Sequence, residues 1–483
     1  MSREIHRQIR RAIVSGQLRP GEALPASRAL AKRLGVARST VTLAYEGLSA
    51  EGLVTGRVGS GTYVAEHSIR PAGDSRRPGT GGALKARDGW LGAPPRSTFG
   101  LGRAVELDLR IGLPDPSLFP AKRWRQLTVQ TLRSARDLLA VYAQPGGLWR
   151  LRQAVARHIA LSRGIQTSAD DITITCGTQQ AIDLAARVLI NRGDEVAVED
   201  PGYSPPAWLL RSFGAVVRGV PVDDEGIVVD ALPASARLVY VTPSHQHPLG
   251  VTMSLARRTA LIDWAERHDS AIIEDDYDGE FQCRRRPTEA IQTLDRSGRV
   301  LYVGSFSKSL SPALRIGFLV TPSSLTTAIQ AAKFLTDWHT PSLTQATLAA
   351  FIDEGGFARH LRRAGRLYDA RHDAVVGAVR TYLDDHLEIL PTDGGLHVAA
   401  KARTATVEDM DRVVTRAKNA GIAVQPLSMF AVERPPTAGL LFGYGGIATE
   451  RIPGAIRRLG ALVRAVTEGD PGPRHYGGRG HDV

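Results

Sequence analysis

Cysteine is nearly missing from this sequence. Of 483 residues only Cys176 and Cys283 are cysteines, and they lie far apart. That excludes a disulfide scaffold and fits a reducing compartment. Long uncharged apolar runs are also missing, so no segment is predicted to span a bilayer. The opening stretch "MSREIHRQIRRAIVSG" has no apolar signal core. These absences predict a cytoplasmic protein with no membrane partner. Acidic residues are in deficit, with 49 Asp/Glu against 61 Lys/Arg and a formal net charge of +12. Such an excess points toward polyanions, whether nucleic acid, phosphate groups or a membrane surface. The remainder is an ordinary globular balance, 43% hydrophobic and 23% charged. At about 150 residues per domain the length predicts two to four units.

The excess charge is concentrated at one end. Residues 1–66 hold ten Lys/Arg against five Asp/Glu, and residues 67–104 hold seven against two. The first 104 residues therefore carry +10 of the +12, and a polyanion partner is to be sought there.

Ile5, Ile9 and Ile13 are spaced four apart among arginines, one apolar stripe on a helix. In "LPASRALAKRLGVARSTVTLAYEGLSAEGLV", Ser27 is the expected N-cap of a second helix. Leu30 and Leu34 would form its apolar face, and Gly35 would stop it. A third helix starts near Arg38–Ser39 with Val41, Tyr45 and Leu48 facing inward. Two short helices joined through a glycine-containing turn make a helix-turn-helix. "LVTGRVGSGTYV" then reads as two strands around a glycine-rich tip, a wing. Arg38, Ser39 and Thr40 would offer donors to phosphates and base edges in a major groove. Gly59 and Gly61 would let the wing backbone approach DNA, with Arg57 reaching a phosphate.

These residues resemble the winged helix of the GntR regulators over about residues 3–65. The resemblance implies double-stranded operator DNA as partner, with contacts from Arg28, Arg38, Ser39, Thr40 and Gly61. Residues 66–104, rich in Gly, Pro, Arg and Ser, read as a flexible linker, and residues 468–483 as a disordered tail.

Between 105 and 467 the pattern changes. "DITIT", "DEVAVED", "ARLVYVTP", "SAIIEDD", "RVLYVGS" and "RIGFLV" read as strands, alternating with amphipathic helices. That predicts an α/β domain with a mainly parallel sheet, whose ligands lie at the C-terminal ends of strands. After "DITIT" comes "CGTQQ", where Gly177 and Thr178 open a helix whose free N–H groups suit a phosphate. After "AIIE" comes the acidic "DDYDGEF", and after "RVLYV" comes "GSFSK", with Arg315 seven residues past Lys308. Ser305, Ser307 and Arg315 would complete an anion site. Pyridoxal phosphate needs such a set: a lysine for its aldehyde, donors for its phosphate and a carboxylate for its ring nitrogen. "SHQHP" has a His-x-His spacing, but no paired ligand cluster accompanies it, and no metal is expected.

The motifs "YAQPGGLWRLRQAVARHIALSRGI", "CGTQQAIDL", "EDPGY", "TPSHQHPLG", "EDDYDGEF" and "GSFSKSLSPALRIG" resemble the fold-type I aminotransferases over about residues 105–467. The whole chain resembles the MocR subfamily of GntR regulators, which fuse a winged helix to that fold. The resemblance implies pyridoxal 5'-phosphate in Schiff-base linkage to Lys308, with Asp275 at the pyridine nitrogen. It implies Tyr277 on the ring hydroxyl and Tyr203 stacked on the ring. Gly177, Thr178, Gln179, Ser305 and Arg315 would surround the phosphate, and Tyr142 would reach the neighbouring subunit's site in a homodimer.

Three positions depart from the pattern. "YAQPGG" replaces a Gly-Asp after the tyrosine, and His247 stands where an aromatic residue is common. Leu441, in "LLFGYGG", occupies the place of the arginine that clamps an amino-acid carboxylate, with Arg434 nearby in sequence as a substitute. The leading reading is a transcription regulator that senses pyridoxal phosphate, or an amine or amino acid through aldimine chemistry, with little or no turnover. The alternatives are an active aminotransferase with an accessory DNA-binding module and a degenerate dimerisation scaffold.

Overall fold

The computed structural model describes residues 1–57, 61–66, 105–134, 140–281, 289–392 and 394–469. Gly59, Cys283, residues 67–104 of the expected linker and residues 470–483 of the expected tail lie outside them. The chain divides into two compact units, residues 1–86 and 87–483.

In the first unit, helix α1 (Ser2–Val14) buries Ile5 and Ile13. Helices α2 (Ser27–Leu34) and α3 (Arg38–Ala50) follow, joined by a tight turn. Strands β1 (Val54–Arg57) and β2 (Gly61–Val64) pair antiparallel, Val54 opposite Val64 and Arg57 opposite Gly61. Val41, Ala44, Tyr45 and Leu48 turn one face of α3 into the core, and the Tyr45 hydroxyl donates to the Pro25 carbonyl at 2.7 Å.

Two expectations fail locally. Leu34 is 47% exposed and does not join Leu30 in the core. The reason is the turn itself. Gly35 adopts φ +64, which lets the Val36 N–H reach the Ala31 carbonyl at 3.0 Å. This closure carries Val36 back against the core and leaves Leu34 outside. Ser27 does not cap α2. The helix begins at Ser27, and its hydroxyl accepts from Arg38 Nε at 3.4 Å.

The second unit is built on an eight-stranded sheet. Its strands are β4 (Ile172–Thr175), β5 (Glu195–Asp200), β6 (Val216–Asp223), β7 (Gly226–Ile227), β8 (Ala236–Val241), β9 (Ala271–Asp276), β10 (Val300–Ser305) and β11 (Gly317–Val320), in the order β4-β11-β10-β9-β8-β5-β6-β7. Strands β10, β9, β8, β5 and β6 run parallel, while β11 lies antiparallel between β10 and β4. Both faces are covered, which is why these strands read as nearly continuous apolar runs. Val196, Leu238, Ile273 and Leu301 pack with Ala181 and Leu184 of the helix Thr178–Leu189. Ala197, Val239 and Ile272 pack with Leu261 and Trp264 of the helix Leu255–Arg267. Each such Leu or Ile contributes about 1.5–3 kcal/mol of apolar burial.

Strand β3 (Leu107–Asp108) pairs parallel with β14 (Ile422–Ala423), and a smaller antiparallel sheet is made by β12 (Leu387–Ile389), β13 (His397–Ala402), β15 (Gln425–Pro426) and β16 (Gly439–Gly443), ordered β12-β13-β16-β15. The helices Gly356–Tyr382, Val407–Asn419 and Ile452–Thr467 complete its core. The Asp200 carboxylate at the end of β5 accepts from the backbone N–H groups of Val432, Glu433 and Arg434 at 3.0, 2.8 and 2.7 Å. This ties the segment preceding β16 to the C-terminal edge of the large sheet. Among the described residues no helix is long and apolar enough to cross a membrane.

Candidate functional site

At the C-terminal edge of the parallel strands lies a cavity of about 190 Å³. Sequential strand ends supply its walls. Asp275 comes from the end of β9, with Tyr277 just beyond it, and Ser305 ends β10. Ser307 and Lys308 sit in the single helical turn Phe306–Ser309. Thr178 and Gln179 open the helix after β4, and Tyr203 precedes the helix Ser204–Ser212. Of the residues expected to gather around a cofactor from widely separated stretches, all but Gly177 and Tyr142 line this one space, and Gly177 lies directly before Thr178.

Lys308 retains exposure to the cavity, and its Nζ donates to the Gly112 carbonyl at 2.6 Å. Burial lowers its pKa, opposed by the carboxylates of Asp278 and Asp275. That favours the neutral, nucleophilic amine. The Asp275 Oδ2 accepts from the Tyr240 hydroxyl at 2.7 Å, while Oδ1 is buried without a partner. Burial pushes Asp275 up to about 7, and Asp276 adds to the rise. A carboxylate so placed lacks a positively charged donor, and a protonated ring nitrogen is one. The Tyr277 hydroxyl lies 3.0 Å from His245 Nδ1, which also pairs with Asp278 Oδ2 at 2.9 Å.

The opposite end is a cradle of close backbone approaches. Gly177, at φ +82, starts the helix Thr178–Leu189, and a Cβ there would stand 3.1 Å from Arg315 Nη1. A Cβ on Gly317 would stand 2.9 Å from both the Gly177 Cα and the Gly304 carbonyl oxygen. Arg315 itself has φ 51, a left-handed conformation costing a non-glycine residue about 1–3 kcal/mol. Its guanidinium donates to the Cys176 carbonyl, which holds the charge beside the helix start. Unsatisfied first-turn N–H groups, two serines and a fixed guanidinium form a site for a phosphate dianion. The Ser305 hydroxyl accepts from the Ser307 N–H at 3.2 Å, so its own proton is free to donate outward.

Several wall residues were missed or underweighted in the sequence. His247 and His397 line the cavity, their ring centroids 5.6 Å apart, and His247 lies 5.1 Å from Tyr203. Burial holds His247 down to about 3, with Lys308 and His245 adding to the fall, and burial lowers His397 as well. His397 sits in "GGLHV", which carries no local signal of a site. Only the pairing of β13 with β16 puts it there. Tyr142 is 75% exposed and stacks edge-on to Trp338, away from its own chain's cavity. Leu441 is buried among Leu249, Val251 and Phe430. Arg434 is exposed and does not line the cavity, so the structure does not bring it into the place of a carboxylate clamp. Among the described residues no group of His, Cys, Asp or Glu forms a metal-holding cluster.

In the first unit, Arg38, Ser39, Thr42, Leu43 and Glu46 share an exposed face of α3. Arg28 is exposed on α2, and Thr40 is half-buried. Arg57 lies over the Tyr63 ring at 4.9 Å and pairs with Glu66 at 3.5 Å, next to Gly61 at φ +118.

Residues 107–440 match the family described as aminotransferase class I and II, and residues 1–64 match the bacterial regulatory proteins of the gntR family. Among solved structures, the multiple substrate aminotransferase of Thermococcus profundus superposes with a TM-score of 0.72 at 28% identity, covering 79% of this chain and 98% of that one. The kynurenine aminotransferase of Pyrococcus horikoshii, solved with PMP, gives 0.71 at 29%, covering 78% and 96%. Fold and site thus define a fold-type I aminotransferase domain, the class that uses pyridoxal phosphate, on a chain that begins with a winged helix. Over 477 residues the chain is 37% identical to the probable rhizopine catabolism regulatory protein MocR of Rhizobium meliloti, covering 96% of this chain and 94% of that protein. Over 444 residues it is 30% identical to the pyridoxine biosynthesis regulator PdxR of Corynebacterium glutamicum, covering 92% and 91%. The chain belongs to the MocR subfamily of GntR transcription regulators.

Proposed function

We propose that this regulator carries pyridoxal phosphate on Lys308, binds operator DNA through residues 3–65 and couples the two through an amine effector. The observation that carries the cofactor reading is the buried, unpartnered Oδ1 of Asp275 in the same cavity as the Lys308 amine. Asp275 would hold the ring nitrogen protonated, and Tyr203 would cover the ring. Tyr277 would donate to the ring hydroxyl, with His245 and Asp278 fixing its orientation. Gly177, Thr178, Gln179, Ser305, Ser307 and Arg315 would hold the phosphate. When bound, the cofactor supplies an aldehyde carbon that condenses reversibly with amines and a cationic ring that withdraws electrons. Lys308, biased toward its neutral form, would be the residue that holds that carbon.

A homodimer through the aminotransferase-like part is part of this reading, with the exposed Tyr142 serving the partner subunit's site. Operator contacts would come from Arg28, Arg38, Ser39, Thr40, Arg57 and Gly61, on the exposed face of α3, on α2 and on the wing. Borohydride reduction after reconstitution, followed by peptide mapping, tests the cofactor assignment. The label is expected on Lys308, and a label elsewhere or none at all refutes it.

A further inference from the structure

We infer that the effector taken by this cavity is a primary amine that lacks a carboxylate and carries hydrogen-bond-donating groups such as hydroxyls. This deepens the reading above and rests on it. Setting aside the residues assigned to the cofactor, the remaining wall includes Gly112, His247, Leu396 and His397. Among the described lining residues Lys308 and Arg315 are the only lysine and arginine. Arg315 is held against Gly177 and Cys176 at the anion cradle, and Lys308 serves the aldehyde. Among the described residues of this wall no fixed charge is left for a carboxylate.

The surroundings reinforce this. Leu441 on β16 stands opposite Ala399 of β13, two residues along the same face from the cavity-lining His397. It packs with Leu249, Val251, Leu427 and Phe430, and the Phe430 ring lies 5.0 Å from His247. An unpaired carboxylate brought against this apolar backing would lose its water without gaining a counter-charge.

Two of the polar atoms that remain are acceptors. His397 Nε2 lies 2.9 Å from the Pro248 carbonyl, which can only accept, so Nε2 carries the proton. The neutral ring then presents Nδ1 as a lone pair. The Gly112 carbonyl accepts from the Lys308 amine and would accept equally from another amine. Lone pairs attract N–H and O–H groups and repel carboxylate oxygens. A ligand amine would take the place of the Lys308 amine: the incoming nitrogen would give up two hydrogens as protons, the departing Lys308 nitrogen would gain two, and no oxidation state would change.

Serinol and L-serine make the test, since they differ only in a hydroxymethyl group where serine has its carboxylate. Holoprotein, first shown by reduction and mapping to carry the cofactor on Lys308, is titrated with each amine. Visible absorbance and calorimetry follow binding, each referenced to the same amine reacting with free pyridoxal phosphate. Serinol is expected to half-saturate at concentrations about tenfold or more below L-serine, because a site lacking the counter-charge leaves the carboxylate unpaired. A smaller ratio, no response to either amine, or a preference for L-serine overturns the inference. Absence of the Lys308 label refutes the cofactor assignment and this inference with it, so the two failures are distinguishable.

Discussion

Asp275 shows how one side chain ties cofactor binding to stability. Its carboxyl is pushed up to about 7 by burial, from the ordinary aspartate range near 3.8. Between those values the unfolded chain releases a proton that the folded, cofactor-free chain keeps. Stability of the cofactor-free protein therefore falls as pH rises through that window and is not penalised further above about pH 7. Asp275→Asn removes the titration. Thermal melts of the cofactor-free proteins from pH 5 upward are expected to show the variant gaining on wild type until about pH 7, with a constant difference beyond. The same variant is expected to hold pyridoxal phosphate poorly, since an amide cannot pair with a protonated ring nitrogen. A gap between the melts that does not change with pH would mean that Asp275 is ionised throughout.

At the scale of single elements, α3 and the helix Thr178–Leu189 use their N-termini alike. Neither has a side-chain cap, and each has an arginine beside it. In α3 the arginine is Arg38, exposed at the first position and in reach of Ser27. Arg38→Ala is expected to weaken operator binding by about 1–3 kcal/mol if the side chain forks onto a base edge. Wild-type affinity is expected to fall steeply with salt, through counterion release. Fluorescence anisotropy on operator DNA over a salt series, with cofactor absorbance as folding control, measures both. Unchanged affinity in the variant together with flat salt dependence in wild type would refute the assignment of this helix face to DNA.

For the molecule as a whole, positive charge is concentrated toward the N-terminal end. Residues 1–104 hold +10 of the net +12, and the aminotransferase-like part is nearly neutral. An effector bound in one unit changes DNA affinity in the other only through a difference in affinity for two global states. Such couplings amount to about 5–150-fold. Lys308→Ala is expected to leave the winged helix folded and able to bind DNA, with no response of operator affinity to pyridoxal phosphate plus amine. A variant that responds as wild type does would place the effector outside the lysine site.

Much of this protein is written locally in its sequence. The parallel strands are apolar because both faces are covered, and the loops that follow them carry the chemistry, so Lys308, Asp275, Tyr277, Ser305 and Arg315 were legible as strand-end residues. Gly35 and the α3 apolar face were legible because turn and helix periodicity act over a few residues. Leu34 was misread because the turn at Gly35 substitutes Val36 into the core, an outcome of the capping hydrogen bond rather than of spacing. His397 and the surroundings of Leu441 could not be read at all, since they depend on pairing between β13 and β16 some forty residues apart. Arg434 looked available because it was near in sequence, yet its backbone is anchored by Asp200 and its side chain is exposed. Strand-end motifs thus determined the family of chemistry, through short-range rules that each segment obeys alone. The polarity of the cavity wall around His247 and His397 was decided only by tertiary structure, because it comes from residues that meet through long-range pairing, where burial and hydrogen-bond partners set the state of each side chain.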